Sequence, residues 1–265
     1  MKIAIIGTGN LGKSIAKGLI QNNSFTQLFL TKRNTEELNE FKNTPSVFIT
    51  SNNEEAIALS DIIIFAVQPR HFEGVLKEIA SVLTDKHILI STITGFSIEK
   101  MESLIGSNSF IMRAMPNTAI AVGKSMTCIC SNTQGKAHLQ TATAIFNQLG
   151  TSMVVPESQM QAATVVCASG IAFWMRLIRA TTQAAIQLGF DAKEAQELAM
   201  HTSEGAASLL IATGNHPEEE IDKVTTPKGC TIEGLNEMEH KGLSAALIQG
   251  MVASFNKINT IKKEN

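Results

Sequence analysis

Short apolar runs alternate with amphipathic stretches along the first part of the chain. The runs are rich in Ile, Val, Leu and Phe, and Ile62-Ile63-Ile64-Phe65 contains no polar residue. Continuous runs of this kind are typical of parallel strands buried on both faces, because helices cover such sheets on both sides. The pattern predicts a doubly wound α/β sheet. The predicted strands are Lys2–Ile6, Gln27–Thr31, Val47–Thr50, Asp61–Val67, His87–Thr92, Phe110–Ala114 and Ser125–Ile129.

The amphipathic stretches between these runs predict helices. Gly150 follows the last of them, and a glycine just past a helix predicts a left-handed cap. The predicted helices of this part are Leu11–Gln21, Thr35–Lys42, Asn53–Leu59, Phe72–Val82, Ser97–Ile105 and Gly135–Leu149.

The pattern changes near Val155-Pro156-Glu157. From Gln159 to Leu188 the chain has no proline and is rich in Ala, Ile and Met. We therefore expect a Rossmann-type domain over residues 1–155, followed by an all-α dimerisation domain over residues 156–265. Further helices are predicted at Ala192–Thr213, Ile232–Glu239 and Ser244–Ile258.

The first helix of this second part is apolar around much of its circumference. A helix of that kind must be buried, and in a domain of this size a second subunit offers the surface. We expect an interwoven homodimer, or a larger homo-oligomer. A core helix buried within one chain is the alternative.

Composition and charge exclude several classes of function. Of 265 residues, 44% are hydrophobic, and the net charge is −2. No basic block precedes Lys262-Lys263, so binding to nucleic acid has no electrostatic support. The longest apolar run is too short to span a bilayer, and the chain enters a strand at once, leaving no room for a signal peptide. We expect a cytoplasmic protein with neither a nucleic-acid nor a membrane partner.

Cysteine and histidine spacing gives no indication of a metal site. The four cysteines form no Cys-x-x-Cys pattern, and the six histidines are scattered. Metal sites need ligands at characteristic spacings. We therefore expect no bound metal.

A glycine pattern follows the first predicted strand directly. Gly7-Thr8-Gly9-Asn10-Leu11-Gly12 stands between an apolar run and a helix-like stretch. The first glycine permits a tight turn, the second lets a diphosphate approach the backbone, and the third lets the helix pack closely. The free amides at the start of the helix then bind the diphosphate. The motif predicts a dinucleotide site.

The end of the second predicted strand indicates which dinucleotide binds. NAD-selective folds carry an acidic residue there, whereas this chain reads Thr31-Lys32-Arg33-Asn34 and has no carboxylate before Glu36. A carboxylate would repel a ribose 2′-phosphate, whereas these cations and the threonine hydroxyl would attract it. We expect NADPH, with NADH possible. The alternative is that both cations are ordinary loop charges.

A second constellation lies late in the chain, from Val224 to Leu235. Hydroxyls, a proline and a glycine crowd into a turn that starts a helix. The amides of Cys230 and Thr231 would point out of the helix start, and Thr226 adds a hydroxyl, which suits a small carboxylate. A plain helix cap at Thr231 explains the same pattern equally well.

Taken together, these motifs resemble those of the pyrroline-5-carboxylate reductase family, and the resemblance runs nearly end to end. The loop at Thr225–Thr231, in its helical setting, is the most specific of them. The other matching motifs are Gly7–Gly12, Ala66-Val67-Gln68-Pro69, Arg113–Thr118, Ala168–Phe173 and His216-Pro217.

The resemblance implies an oxidoreductase of proline biosynthesis. That family reduces the cyclic imine 1-pyrroline-5-carboxylate to L-proline with NADPH or NADH, and it works as a dimer or a larger assembly. The cofactor residues implied for this chain are Ile6, Gly7, Thr8, Gly9, Asn10 and Leu11 at the diphosphate, Thr31, Lys32 and Arg33 at the 2′-phosphate, Asn53 at the adenosine, and Ala66, Val67, Gln68, Pro69, Thr94 and Gly95 beside the nicotinamide.

The resemblance also implies a substrate site in the late loop. The substrate carboxylate would bind the amides of Cys230 and Thr231, next to Gly229 and the Thr226 hydroxyl, and Glu157 would lie near the substrate. A protonated imine already accepts hydride readily, so the reaction needs positioning rather than a metal or a strong base. We expect the Thr231 hydroxyl to orient the imine nitrogen and to relay its proton.

Several positions depart from the family pattern. Lys228 replaces a glycine, which matters if the position needs positive φ; its ammonium could equally lie near the substrate carboxylate. Gln68 and Ile171 replace a lysine and a proline. These departures leave two alternatives open, a paralogue that reduces another small imine and a non-catalytic NADP(H)-binding dimer. The β-hydroxyacid dehydrogenases are disfavoured, since no lysine lies between Lys136 and Lys193 to act as their acid or base.

Overall fold

The computed structural model describes the backbone of residues 1–264 and the side chains of residues 1–260. The chain forms two compact units, which are described separately. The first comprises Met1–Ser169 and the chain from Ser254 onward, and the second comprises Gly170–Ala253. The expected boundary at residue 155 stays a prediction.

The first unit is built around an eight-stranded sheet of order β3-β2-β1-β4-β5-β6-β7-β8. All neighbouring strands are parallel except β6 and β7, which are antiparallel. This arrangement confirms the predicted doubly wound sheet. The strands are β1 (Lys2–Ile6), β2 (Gln27–Thr31), β3 (Val47–Thr50), β4 (Ile62–Phe65), β5 (Ile88–Ser91), β6 (Phe110–Met115), β7 (Ser125–Ser131) and β8 (Gly150–Val154).

Side chains from successive strand positions enter two hydrophobic clusters. Ile3 and Ile5 belong to one cluster, whereas Ala4 and Ile6 belong to the other. Because alternate residues of a strand point to opposite faces, the two clusters are the cores above and below the sheet. The central strand β4 is buried at all four positions, which is why its sequence is continuously apolar.

Helices of the first unit follow most of the predicted stretches. Ser97 is the N-cap of α4, and its side chain accepts a hydrogen bond from a helix amide, as serine commonly does at this position. Pro69 is the first residue of α3, a position that favours proline. The helices are α1 (Asn10–Gln21), α2 (Asn53–Ala58), α3 (Pro69–Ile79), α4 (Ile98–Ile105), α5 (Leu139–Asn147) and α6 (Met160–Ala163), with a π-helical turn at Thr164–Ser169.

Three predictions for this unit are wrong in detail. Thr35–Phe41 is a 3₁₀ helix, and the start of the predicted helix Gly135–Leu149 is a 3₁₀ turn at Gln134–His138. Gly150 does not cap a helix but begins β8 at φ +145°. A Cβ there would overlap the backbone oxygen of Ser125 on the neighbouring strand. Close strand approach therefore explains this glycine.

The second unit is helical, as expected. Helices α7 and α8 pack against each other, and α8 begins with a complete capping box at Asp191 and Glu194. A short helix from Pro217 was not predicted. The helices are α7 (Gly170–Gln187), α8 (Ala192–Thr213), α9 (Pro217–Val224), α10 (Cys230–His240) and α11 (Leu243–Glu264), the last of which continues into the first unit.

One segment of the described chain meets the length and composition of a membrane-spanning helix. It covers Glu157–Gln187, with a mean hydropathy of 1.4, and 17% of the window is buried. A helix that is apolar on all sides needs an apolar environment, which a protein core, a subunit interface or a bilayer can each supply.

Candidate functional site

The sheet order places a crevice at the carboxyl ends of β1 and β4. The chain leaves β1 for β2 and β3 on one side, and then returns to β4 on the other side of β1. The connections after β1 and after β3 run to opposite sides of the sheet, which leaves a crevice where the strand order reverses. Ligands of open α/β sheets bind in this crevice. Any residue that follows β1, β2 or β4 directly is therefore positioned to line a site.

The glycine turn after β1 has a shape that side chains would destroy. Gly7 has φ +89°, and a Cβ there would lie 2.9 Å from the backbone nitrogen of Val67. A Cβ on Gly12 would lie 2.7 Å from the Gly7 carbonyl oxygen, whereas a Cβ on Gly9 would point into open space and meet no atom within 4 Å. Gly9 is also the N-cap of α1 and no side chain caps that helix. The turn thus offers an open, positively polarised helix start that fits a diphosphate.

A cavity of about 730 Å³ opens over this turn. A cavity of this size is large enough for most of an extended cofactor. Ten residues predicted to bind the cofactor line it: Gly7, Thr8, Gly9, Thr31, Lys32, Arg33, Asn53, Ala66, Val67 and Gln68. Sequence reasoning did not single out the other lining residues, Asn34, Glu37, Ser51, Arg70, His71, Gly74, Val75 and Glu78.

The other predicted cofactor residues lie beside this cavity or elsewhere in the fold. Ile6 is fully buried in the core, Asn10 and Leu11 form the first turn of α1, and Pro69 opens α3. The Thr94 hydroxyl donates to the sulfur of Met115. Gly95 lines a second, smaller cavity. Their roles toward a cofactor stay predictions.

Thr31 supports the glycine turn directly. Its hydroxyl oxygen accepts a hydrogen bond from the Gly7 amide at 3.2 Å, and its carbonyl accepts one from Thr8 at 2.8 Å. Thr31 is only 1% exposed. The side chain therefore holds the turn against β2, a role that spacing in the sequence did not indicate.

Charged residues surround the end of the cavity next to β2. Lys32 Nζ lies 2.6 Å from Glu37 Oε2, and that contact lowers the pKa of the Glu37 carboxyl, chiefly through the hydrogen bond from the lysine. Arg33 makes no ion pair with any residue that the structure describes. Two other residues of the cavity lining contact each other, since the Asn53 side-chain amide donates to Glu78 Oε1 at 3.2 Å.

The smaller cavity, of about 210 Å³, contains a salt bridge. Arg113 Nη1 on β6 donates to Glu157 Oε1 at 3.0 Å, and the Ile98 amide at the start of α4 donates to the same oxygen at 2.7 Å. Arg113 is 5% exposed, and its Nε has no partner. Glu157 thus ties β6 to the start of α4, which adds a structural contact to its predicted role near the substrate.

The predicted substrate loop lies in the second unit. It makes a turn in which the Gly229 amide donates to the Thr226 carbonyl at 2.9 Å. A Cβ on Gly229 would overlap Thr226 Oγ1 and lie 3.0 Å from the Thr226 carbonyl oxygen, so a larger residue there requires the turn to shift. Helix α10 then begins at Cys230 with Gly229 as N-cap and no side-chain cap. The alternative of a plain cap at Thr231 is therefore wrong.

Lys228 occupies the left-handed region at φ +59°. The glycine expected from the family pattern would adopt this conformation without strain, whereas lysine does so at a cost. Its ammonium makes no ion pair among the described residues. The Thr231 hydroxyl likewise makes no hydrogen bond within the described part of the chain.

Two family models match the chain. One, described as pyrroline-5-carboxylate reductase dimerisation, matches residues 157–261, and the other, described as NADP oxidoreductase coenzyme F420-dependent, matches residues 2–95. The first match falls on the helical part of the chain, and the second covers the first five of the eight strands.

Named relatives match almost the whole chain. Pyrroline-5-carboxylate reductase 1 of Dictyostelium discoideum is 43% identical over 99% of this chain, which spans 51%, about half, of that relative's length. Pyrroline-5-carboxylate reductase 2 of the same organism is 40% identical over 96% of this chain and 91% of its own length. The protein so named from Methanosarcina acetivorans is 30% identical over 99% and 98%.

Solved structures agree with these relatives. A pyrroline-5-carboxylate reductase from Coxiella burnetii superposes with a TM-score of 0.92 at 28% identity, covering 98% of each chain. The Plasmodium falciparum pyrroline carboxylate reductase, solved with NADP bound, gives 0.87 at 26% identity, covering 99% of this chain and 98% of its own.

Proposed function

The chain belongs to the pyrroline-5-carboxylate reductase family, and we propose that it reduces the cyclic imine 1-pyrroline-5-carboxylate to L-proline. NADPH is the preferred hydride donor, and NADH is accepted as well. The observation that carries this proposal is the similarity to enzymes of that name over nearly the whole chain. The open glycine turn, with a cavity of about 730 Å³ above it, supports the cofactor.

The first unit holds the cofactor in this proposal. Bound NADPH supplies the hydride for reduction of the imine. Gly7 and Gly9 leave the backbone open for the diphosphate, and Lys32 and Arg33 attract a ribose 2′-phosphate. Thr31 contributes by keeping the turn in place through the Gly7 amide.

The second unit supplies the groups that bind the imine acid. The amides of Cys230 and Thr231 at the start of α10 are not capped by a side chain, so they are available to a substrate carboxylate. Thr226 and Gly229 shape the turn before them. The Thr231 hydroxyl orients the imine nitrogen and holds its proton, which keeps the imine electrophilic. In the first unit, Glu157 neutralises Arg113, and the resemblance to the family assigns it to the substrate as well.

A second copy of the chain completes the enzyme as a homodimer. Large apolar side chains on α7 and α8 are exposed, among them Trp174 at 60% and Ile211 at 85%. Exposed apolar area of this kind marks an interface. The apolar segment Glu157–Gln187 is then covered by protein rather than by lipid. A cytoplasmic location, and the absence of nucleic-acid and membrane partners, belong to the same proposal.

The turnover test follows the loss of NADPH absorbance with 1-pyrroline-5-carboxylate, run beside 1-pyrroline-2-carboxylate and beside NADH. Rapid oxidation with the 5-carboxylate alone supports the proposal. Turnover with the 2-carboxylate alone indicates a paralogue for another imine. NADPH binding without any turnover indicates a non-catalytic dimer.

The role of Thr231 is tested by Thr231→Ala, with Thr225→Ala as the matched control. Thr225 lies in the same loop, but its hydroxyl already donates to the Asp222 carbonyl at 3.2 Å. Thr231→Ala should lower kcat by about a hundredfold with little change in NADPH affinity, because proton handling by one positioned group contributes on that order. Equal losses in both variants, or in rate and cofactor affinity together, would count against the role.

Light scattering on the purified chain tests the assembly. A mass of two or more chains in detergent-free buffer is expected. A monomer that sediments with phospholipid vesicles would instead show that lipid covers the apolar segment.

A further inference from the structure

The Lys32–Glu37 ion pair lies at the end of the large cavity next to β2. Lys32 Nζ and Glu37 Oε2 are 2.6 Å apart, and both residues line the cavity. The Lys32 side chain is 21% exposed and the Glu37 side chain 55%, so the lysine is the more enclosed partner. No motif in the sequence pointed to Glu37, because it stands on the 3₁₀ helix after β2 rather than at the strand end.

We propose that Glu37 is a coenzyme-specificity residue, which competes with a ribose 2′-phosphate for the Lys32 ammonium and so reduces the preference for NADPH over NADH. This inference rests on the proposed binding of NAD(P)H in the same cavity. A 2′-phosphate that approaches Lys32 must displace the carboxylate or share the ammonium with it. A ribose that carries only a hydroxyl meets no such competition.

The remaining charges near the pair preserve some attraction for phosphate. Arg33 lines the same cavity and is not engaged in an ion pair within the described chain. Lys32 and Arg33 together carry two positive charges against the one negative charge of Glu37. The site therefore still favours a 2′-phosphate, but less strongly than the two cations alone would.

A matched control is present on the same 3₁₀ helix. Glu40 also pairs with lysines, with Lys17 Nζ at 2.6 Å and Lys13 Nζ at 3.0 Å. Its side chain is 39% exposed, yet it is not part of the cavity lining. Glu40→Gln therefore removes the same charge from the same helix without freeing Lys32.

The experiment measures equilibrium binding of 2′-phosphoadenosine 5′-phosphate and of AMP by calorimetry. It compares the full chain with its Glu37→Gln, Glu40→Gln and Lys32→Gln variants and with the double variant that combines Lys32→Gln and Glu37→Gln. These nucleotides differ only in the 2′-phosphate and need no turnover. Glu37→Gln should tighten binding of the 2′-phosphate nucleotide by about fivefold, on the order expected for release of a close ion pair. Binding of AMP should change by less than about twofold.

The controls fix the interpretation. Glu40→Gln should leave the ratio of the two affinities unchanged, and Lys32→Gln should abolish the gain when combined with Glu37→Gln. An unchanged ratio in Glu37→Gln, or an equal shift in Glu40→Gln, overturns the proposal. The proposal is also overturned if the parent chain binds neither nucleotide. If the parent chain prefers the 2′-phosphate nucleotide but does not reduce the imine, the proposed reaction is refuted and the role of Glu37 still stands.

Discussion

Removal of the Glu157 carboxylate should destabilise the first unit. Glu157 Oε1 accepts two hydrogen bonds, from Arg113 Nη1 at 3.0 Å and from the Ile98 amide at 2.7 Å. Arg113 is 5% exposed and has no other described counter-charge. Glu157→Ala would therefore leave a buried guanidinium without compensation and an unpaired amide at the start of α4.

The size of the effect follows from these contacts. Hydrogen bonds to charged groups each contribute about 1.5–3 kcal/mol, so two of them set a ceiling of roughly 3–6 kcal/mol. The Glu157 side chain is 33% exposed, and solvent screening lowers that ceiling. We expect a loss of about 2–3 kcal/mol for Glu157→Ala. Glu157→Gln keeps an acceptor oxygen and loses the charge, so about 1 kcal/mol is expected.

Urea unfolding at a fixed protein concentration measures these losses, because association would otherwise change the apparent stability. Arg113→Met serves as the second arm of a double-mutant cycle. Combined with Glu157→Ala, it removes the buried charge, so the double variant should be more stable than Glu157→Ala alone.

Two results would refute the reasoning. A Glu157→Ala variant within about 0.5 kcal/mol of the parent would show that the salt bridge is not needed to hold Arg113. Strict additivity in the cycle would show that the two side chains act independently. A raised KM for the imine in Glu157→Gln, with unfolding unchanged, would locate the carboxylate's main role at the substrate.

Three further changes test other parts of the structure. Lys228→Gly removes a side chain from a residue at φ +59° and should raise the free energy of unfolding by about 1 kcal/mol in urea; a decrease would mean that the lysine stabilises its turn. Gly7→Ala places a side chain on a residue with φ +89° and crowds Val67. The affinity for NADPH should therefore fall about tenfold in fluorescence titrations. An unchanged affinity would contradict the assignment of the glycine turn to the diphosphate. Burial lowers the pKa of His87 below 6.5, and its Nδ1 accepts the Thr84 amide. As pH falls, His87 becomes protonated in the unfolded chain at a higher pH than in the folded chain. The free energy of unfolding should therefore decline as pH falls below 6.5. His87→Gln should flatten that decline when melting is measured as a function of pH.

The strands that the sequence predicted well are those with strong apolar runs. β1, β2 and β3 begin and end where predicted. Polar residues bound the apolar runs of β2 and β3 on both sides, and the run of β1 lies between Lys2 and Gly7. β8 was missed because its first three residues, Gly150-Thr151-Ser152, contain no large apolar side chain. The other edge strand, β3, likewise has no buried position but was recognisable from the run Val47-Phe48-Ile49. The 3₁₀ helix at Thr35–Phe41 buries Leu38 and Phe41, three positions apart, a spacing that suits α and 3₁₀ helices alike.

The candidate site divides in the same way between local and distant determinants. The glycine turn could be located from sequence because its geometry depends on neighbouring residues. Glu37 and the Arg113–Glu157 salt bridge could not, because the fold decides which charges meet; the latter two residues stand 44 positions apart. Thr31 was located but its partner was not, as its hydroxyl accepts from a glycine 24 positions away.

Lys228 connects a departure from the family pattern to a physical requirement. The sequence left two readings of this lysine, a strained replacement of glycine and an ammonium near a carboxylate. Its φ of +59° establishes the strain, which amounts to about 1 kcal/mol for a residue with a Cβ. The chain therefore carries a lysine, and with it a positive charge beside the start of α10, at a backbone conformation that a glycine fits best.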